Sequence, residues 1–261
     1  KHFNFNEGVL HSEDTNLLEL SDSLETPFYV YSAETIRENC RSYKAGLSSS
    51  DLACYAVKAN SNLSVLSLIK DEGLGFDVVS GGELKRVLKI GADPKKIVFS
   101  GVGKSKEELE LACDHEIFSI NVESEYELAL LEQLNKMPRI SFRINPDIAA
   151  ESHPYIETGK ADCKFGISEE EALTLAKKYG TEKINLVGVS AHIGSQITNT
   201  DLLVEAYEKL ENLADQLVSL GFEIDHIDVG GGLAIDYELE KNFSPDELIK
   251  KLKKFSSKYN L

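Results

Sequence analysis

The hexapeptide Tyr55-Ala56-Val57-Lys58-Ala59-Asn60 puts a lysine where an apolar, strand-like run from Leu52 stops and a polar turn begins. An amine half buried at such a point is a candidate nucleophile toward a carbonyl, because desolvation penalises its ammonium form. A strand-end lysine that snorkels to solvent fits the same six residues. A second group of interest is Gly230-Gly231-Gly232, at the end of a strand-like run over 226–229. Without Cβ atoms the backbone approaches a ligand closely, and successive N–H groups form a nest for an anion such as phosphate. A tight turn that needs glycine dihedrals fits the triplet as well, so neither motif decides alone.

The elements that must position these residues follow from hydrophobic periodicity. Strand-like runs lie at 52–57, 76–79, 97–100, 118–122, 140–144, 186–192 and 226–229, with helical stretches at 64–72, 82–90, 104–115, 124–135, 168–179, 201–220 and 244–259. Ser105 with Glu108, Ser124 with Glu127 and Ser168 with Glu171 carry the spacing of a capping box. Strands alternating with helices over short loops predict a parallel sheet, either doubly wound or a (β/α)8 barrel. No GxGxxG follows the run that ends at Val57, and the glycines cluster after the seventh run instead, which favours the barrel. The expected fold is therefore α/β, a TIM-type barrel over 26–261, incomplete because an eighth strand is absent from the sequence; a C-terminal β-domain, also absent, is implied only by family resemblance. Residues 1–25, with the alternating Phe3-Asn4-Phe5-Asn6, form a separate N-terminal segment. The chain reads as part of a longer polypeptide, and 1–261 alone is expected to fold poorly because unpaired strand edges are exposed.

Catalytic groups of such barrels stand at the C-terminal strand ends. Those ends hold Lys58, Asp77, Ser80 to Glu83, Ser100, Asn121, Glu123, Arg143, His192, Ser195, Asp228 and the three glycines. Any one has a packing explanation; Asp77 and Arg143 would make a buried pair, and His192 a satisfied core histidine. So many polar groups gathered at one buried mouth carry desolvation penalties that packing alone does not explain. A lysine for an aldehyde and a glycine cradle for a phosphate are what a phosphate-bearing aldehyde cofactor needs, and pyridoxal 5'-phosphate answers to that description.

Composition narrows the partners. Hydrophobic residues at 42% and charged residues at 28% are those of an ordinary globular chain of 261 residues. A net charge of −16 argues against nucleic acid and anionic membranes, leaving a small-molecule substrate. Cys40, Cys54, Cys113 and Cys163 show no CxxC spacing, so no metal site is expected and reduced thiols in the cytoplasm are the simplest account.

The motifs at Tyr55–Asn60, Phe76–Leu84 (FDVVSGGEL), Phe142–Pro146 (FRINP), His192–Gln196 (HIGSQ) and Asp228–Gly232 (DVGGG) resemble, in order, those of the fold-type III pyridoxal-phosphate-dependent amino-acid decarboxylases. HIGSQ and the stretch HPYIETG at 153–159, leading to KFGI at 164–167, are similar to the branch acting on meso-diaminopimelate. The resemblance implies that Lys58 carries the cofactor covalently and that His192 stacks on its ring. Ser195, Gly230, Gly231 and Gly232 would hold the phosphate, and Asp77, Glu83 and Arg143 would form a polar network beneath the lysine. The implied reaction is decarboxylation of meso-diaminopimelate to L-lysine and CO2, with Lys58 and His192 as its catalytic residues. Carboxynorspermidine, ornithine or arginine as substrate, or a barrel that binds the cofactor without turnover, are the alternatives. The family's Glu-Pro-Gly-Arg motif and its β-domain cysteine and tyrosine are not found here; 1–25 would pack on that β-domain, and the full-length protein would be a homodimer.

Overall fold

The computed structural model describes residues 2–148, 165–235, 237, 243–255 and 258–261. The HPYIETG stretch, Cys163 and Lys164 lie outside the described residues. At the N-terminus β1 (Phe3–Asn6), β2 (Val9–Ser12) and β3 (Thr15–Asn16) form an antiparallel sheet. Glu7 and Gly8 turn its first hairpin at φ 50° and 82°, the two positive values that a two-residue type I′ turn requires. Two helices follow, α1 (Leu17–Ser23) capped by the Asn16 side chain and α2 (Ala33–Lys44) capped by the Ser32 hydroxyl.

From Cys54 onward strand and helix alternate. The order is β4 (Cys54–Ala56), α3 (Leu63–Asp71), β5 (Gly75–Val78), α4 (Gly81–Lys89), β6 (Ile97–Phe99), α5 (Lys106–Asp114) and β7 (Ser119–Val122). It continues with α6 (Glu125–Gln133), β8 (Arg139–Ile144), α7 (Glu169–Tyr179), β9 (Asn185–Ala191), α8 (Asp201–Ser219), β10 (His226–Asp228) and α9 (Pro245–Phe255). All seven strands are parallel and pair with their neighbours in sequence, from β4 at one edge to β10 at the other. Serines start four of these helices: Ser80, Ser105, Ser124 and Ser168 each accept the N–H three residues on. Ser105 and Glu108 make the full reciprocal box.

The two faces of the sheet are chemically different, as the two-residue period of a strand allows. One set, which includes Phe76, Ile97, Phe99, Ile120, Ile140 and Phe142, is fully buried in the same hydrophobic core as Leu66, Leu84, Leu109, Leu128 and Tyr207 of the helices. The alternate positions face the barrel interior and are small or polar: Gly75 and Asp77, Ser119 and Asn121, Ser141 and Arg143, Gly188 and Ser190, His226 and Asp228. Ser119 Oγ lies 2.8 Å from Ser141 Oγ, which lies 2.9 Å from His226 Nε2. That chain passes from β7 through β8 to β10 and skips β9, where a Cβ on Gly188 would stand 2.4 Å from the His226 ring. The sheet must therefore curl tightly about its interior.

The two sheet edges approach one another. Asn260 pairs in parallel with His226, and the Ile227 N–H donates to the Asn260 carbonyl at 2.9 Å. The next carbonyl, of Leu261, accepts the Leu52 N–H at 2.8 Å, and the Asp51 carboxylate takes the Leu261 N–H at 3.0 Å. Asn260 and Leu261 thus stand between β10 and the segment leading into β4, where an eighth strand lies in a closed barrel. Among the described residues no helix is long and apolar enough to cross a membrane.

Candidate active site

Lys58 follows β4, but the strand stops at Ala56 and Val57–Ala59 form one 3-10 turn. The lysine is exposed at the mouth, not half buried as the apolar run suggested. The Tyr55 hydroxyl fixes the end of the turn by donating to the Asn60 carbonyl at 3.3 Å.

Asp77, on the neighbouring β5, is half-buried, and its Oδ1 is buried without a hydrogen-bond partner. Burial pushes its pKa up to about 6; the Ser100 hydroxyl opposes this, the Asp228 carboxylate reinforces it, and the charges of Lys58 and Arg143 pull it back. Ser100, just past β6, accepts the Asn121 side-chain amide at 3.0 Å. Arg143, on β8 and 12% exposed, does not form the expected pair with Asp77. Its Nη1 donates to Glu123 Oε1 at 2.7 Å, and its guanidinium lies 4.9 Å from the Phe165 ring centroid. Glu123, at the end of β7, has a buried carboxylate, and among the described residues no other cation forms an ion pair with it. Its second oxygen accepts the Gly166 N–H at 3.3 Å.

His192 follows β9 and is half-buried. Burial, with the Arg143 and Lys58 charges, lowers its pKa to about 4, so the imidazole is neutral at pH 7. These mutual influences tie groups from β4, β5, β8, β9 and β10 into one cluster: Lys58, Asp77, Arg143, His192 and Asp228. Glu83 does not join it. Its carboxylate accepts the Val79 N–H at 2.7 Å, so it caps its own helix instead of lying in a network beneath the lysine.

The glycine triplet adjoins this cluster at His192. A Cβ on Gly230, where φ is 71°, would stand 2.4 Å from the Ala191 carbonyl and 3.0 Å from His192 Nδ1. A Cβ on Gly232, at φ 102°, would stand 2.0 Å from the Gly194 carbonyl. Gly231 has nothing within 4 Å of its Cβ position. The Gly230 N–H is taken by Asp228 Oδ1 at 2.7 Å, which removes it from the expected three-residue nest. Among the described residues no acceptor meets the N–H of Gly231 or Gly232. The loop after β9 is laced to this one: Ile197 N–H donates to Gly232 O at 2.8 Å, Ala234 N–H to Ile197 O at 3.0 Å, and Gln196 exchanges two bonds with Ile235. Ser195 lies exposed on that laced loop.

The sequence reading placed Glu123, Asn121 and Ser100 at the rim without giving them roles, and it missed Lys104 and Glu127. What could have found the inner groups is polar residues at every second strand position, Ser119-x-Asn121-x-Glu123 and Ser141-x-Arg143, which run reading treats as interruptions.

Fold and rim together define a parallel barrel with an exposed lysine and a glycine loop on its C-terminal side. The family described as the pyridoxal binding domain of pyridoxal-dependent decarboxylases matches residues 33–260. A diaminopimelate decarboxylase of Vibrio cholerae is 43% identical over 258 residues, covering 96% of this chain and 62% of that protein. One from Helicobacter pylori is 46% identical over 234 residues, covering 87% of this chain and 57% of that protein. A crystal structure of diaminopimelate decarboxylase from Helicobacter pylori complexed with L-lysine superimposes with a TM-score of 0.88 at 40% identity, covering 94% of this chain and 64% of that one. The chain belongs to the pyridoxal-dependent decarboxylase family. It spans less than two thirds of the length of these relatives.

Proposed function

We propose that the full-length protein is a pyridoxal-phosphate-dependent decarboxylase that converts meso-diaminopimelate to L-lysine and CO2 in the cytoplasm. The residues present suit that cofactor. Lys58 is exposed and offers its Nζ to the aldehyde carbon. Gly231 and Gly232, whose amides meet no acceptor among the described residues, and the exposed Ser195 hydroxyl offer donors to a phosphate. The buried, unpartnered Asp77 Oδ1 is an acceptor still waiting for a donor.

When bound, the cofactor supplies an electron sink for the pair released as the substrate's carboxylate leaves as CO2. The chain's own groups prepare for this. His192, neutral at pH 7, lines the cofactor's place without adding a third cation beside Lys58 and Arg143. Asp77, with a pKa of about 6, is mostly anionic at pH 7 and balances those cations. Lys58 would hold the cofactor's aldehyde, and its amine, exposed at the mouth, would be available to move protons at the substrate's Cα. The observation that carries the reading is the glycine loop: it adjoins His192 at Gly230 and offers two amides, of Gly231 and Gly232, with no acceptor among the described residues, at the rim that also holds Lys58, in a chain 43% identical to a diaminopimelate decarboxylase.

The test is borohydride reduction of the cofactor-loaded full-length protein, peptide mapping and CO2 release from meso-diaminopimelate. Lys58 is expected to carry the reduced cofactor. Labelling of another lysine, undiminished in Lys58→Ala, would contradict the assignment.

The full-length protein is further proposed to be a homodimer, as the resemblance implies; a monomeric mass in sedimentation would count against that. Residues 1–25 are proposed to pack on a segment outside 1–261. Supporting this, Phe3, Phe5, Leu18 and Leu24 are all exposed, more large apolar surface than a short terminal segment leaves in water unless something covers it. Unchanged hydrogen exchange in β1 when that segment is deleted would refute it.

A further inference from the structure

The loop between β6 and α5 carries a lysine that the proposed chemistry leaves without a task. The Lys104 side chain is 1% exposed, and burial pulls its pKa down against the pull of Glu127 and Glu123. Its Nζ reaches three segments at once: the Gly101 carbonyl at 2.8 Å, the Asn121 carbonyl at 2.6 Å, and the Glu127 carboxylate at 3.1 and 3.3 Å.

Two arms lead from this ammonium to the mouth. On the first, Glu127 Oε2 accepts the Glu123 N–H at 2.8 Å, and Glu123 holds Arg143 at 2.7 Å and the Gly166 N–H at 3.3 Å. On the second, Asn121, anchored by its carbonyl, directs its side-chain amide to Ser100, whose hydroxyl in turn holds Asp77 down. Lys104, Glu127, Glu123 and Arg143 sum to zero, the two carboxylates lying between the two cations. Glu127 and Glu123 are each 3% exposed. A well-packed apolar core of equal volume is often as stable as such a buried ionic chain, or more so. What apolar side chains do not provide is a fixed direction for the guanidinium at its far end.

We propose that Lys104 and Glu127 are positioning residues, which fix Glu123 and through it Arg143 at the cofactor mouth. The proposal rests on the mouth being the cofactor site.

Lys104→Met alone strands the Glu127 charge and is expected to impair folding. The informative variant is K104M/E127M in the full-length protein, which removes both charges at similar volume. Its apparent Tm is expected within about 3 °C of wild type. Cofactor affinity, read by absorbance titration of the apo-protein, is expected to fall about 10- to 100-fold, the usual effect of losing a group that orients a ligand-holding side chain. A folded double variant with wild-type affinity and kcat overturns the proposal, since a purely structural pair would be fully replaced. If the double variant does not fold, Glu127→Gln decides. An oxygen kept on the Glu123 N–H turns the amide NH2 toward the Lys104 ammonium, where Oε1 now accepts at 3.1 Å, so the pair's hold loosens and affinity should drop about tenfold, and wild-type affinity there is equally fatal. Failure of the underlying site reading looks different: wild-type protein would then take up no cofactor at Lys58.

Discussion

Alanine at Gly231 and alanine at Gly232 should have opposite consequences, although the residues adjoin. At Gly232 a Cβ would lie 2.0 Å from the Gly194 carbonyl at φ 102°. Only glycine is at ease with that dihedral, and the contacted atom is backbone, which cannot swing aside. Strain of about 1–3 kcal/mol for the dihedral, with the steric displacement added, gives roughly 2–4 kcal/mol of destabilisation. For a barrel of this size that is roughly 5–10 °C in apparent Tm. At Gly231 the Cβ meets nothing within 4 Å, and the residue is not among those with positive φ. Gly→Ala at a compatible position stabilises by about 0.4–1 kcal/mol through the unfolded chain, so Tm should hold or rise slightly. Its methyl group, however, would stand in the open space beside two amides that meet no acceptor among the described residues. Losing one hydrogen bond to a charged phosphate is worth about 1.5–3 kcal/mol, or roughly 10- to 150-fold in cofactor affinity. Tm must be read on the apo-protein, because bound cofactor adds its own stabilisation. Wild-type affinity in Gly231→Ala would refute the loop as the phosphate site, and a wild-type Tm in Gly232→Ala would refute the close approach.

The seven strands were legible because Phe76 and Val78, Ile120 and Val122, or Ile140 and Phe142 repeat at the period of a strand and are bounded by turn residues. The barrel's lining was harder to read, since Ser119, Ser141, Gly188 and Ser190 look like defects in apolar runs until a curved sheet gives them an inside. Helix α2 gave little signal for a related reason. Its apolar stripe is thin, Ile36, Cys40 and Tyr43 among charged and polar residues, and of its twelve residues only Cys40 is buried. The Ser124–Glu127 spacing was read as a capping box, and half of it exists: Ser124 accepts the Glu127 N–H. The Glu127 carboxylate goes to Lys104 and to the Glu123 N–H, because a buried ammonium 23 residues away outbids a local amide. Glu83 shows the opposite case: the resemblance draws it toward Lys58, while its carboxylate accepts the Val79 N–H of its own helix start. Local spacing therefore located Lys58 and the glycines, while charges whose partners come from distant strands had to wait for the fold.

Two further predictions concern pH. Asp51, whose side chain is fully buried, meets Lys253 at 2.7 Å and the Leu261 N–H at 3.0 Å. Burial pushes its carboxyl up, but these partners and Ser48 hold it down to about 2. Its stabilisation is present above the unfolded value near 4 and is lost as pH falls toward 2; Asp51→Ala should cost about 3 kcal/mol at pH 7, and an unchanged apparent Tm there would refute the closing contact. At the mouth, His192 and Asp77 act against each other. The folded pKa of His192, about 4, lies below the ordinary 6.5, so the unfolded chain binds more protons and stability rises with pH between those values. Asp77 is the reverse: its folded pKa of about 6 exceeds the ordinary 3.8, the native state binds more protons, and stability falls as pH rises from about 4 to 6. At 1.36 kcal/mol per pKa unit each effect is about 3 kcal/mol, so together they nearly cancel in the wild-type apo-protein. Asp77→Asn should expose the histidine term, giving a Tm that drops on acidification from pH 6.5 to 4. His192→Gln should expose the carboxylate term, with a Tm that rises relative to wild type over the same interval. Melts of both apo-variants across that interval, compared with wild type, test the pairing directly: two parallel curves would mean that neither group is buried against the charges of Lys58 and Arg143.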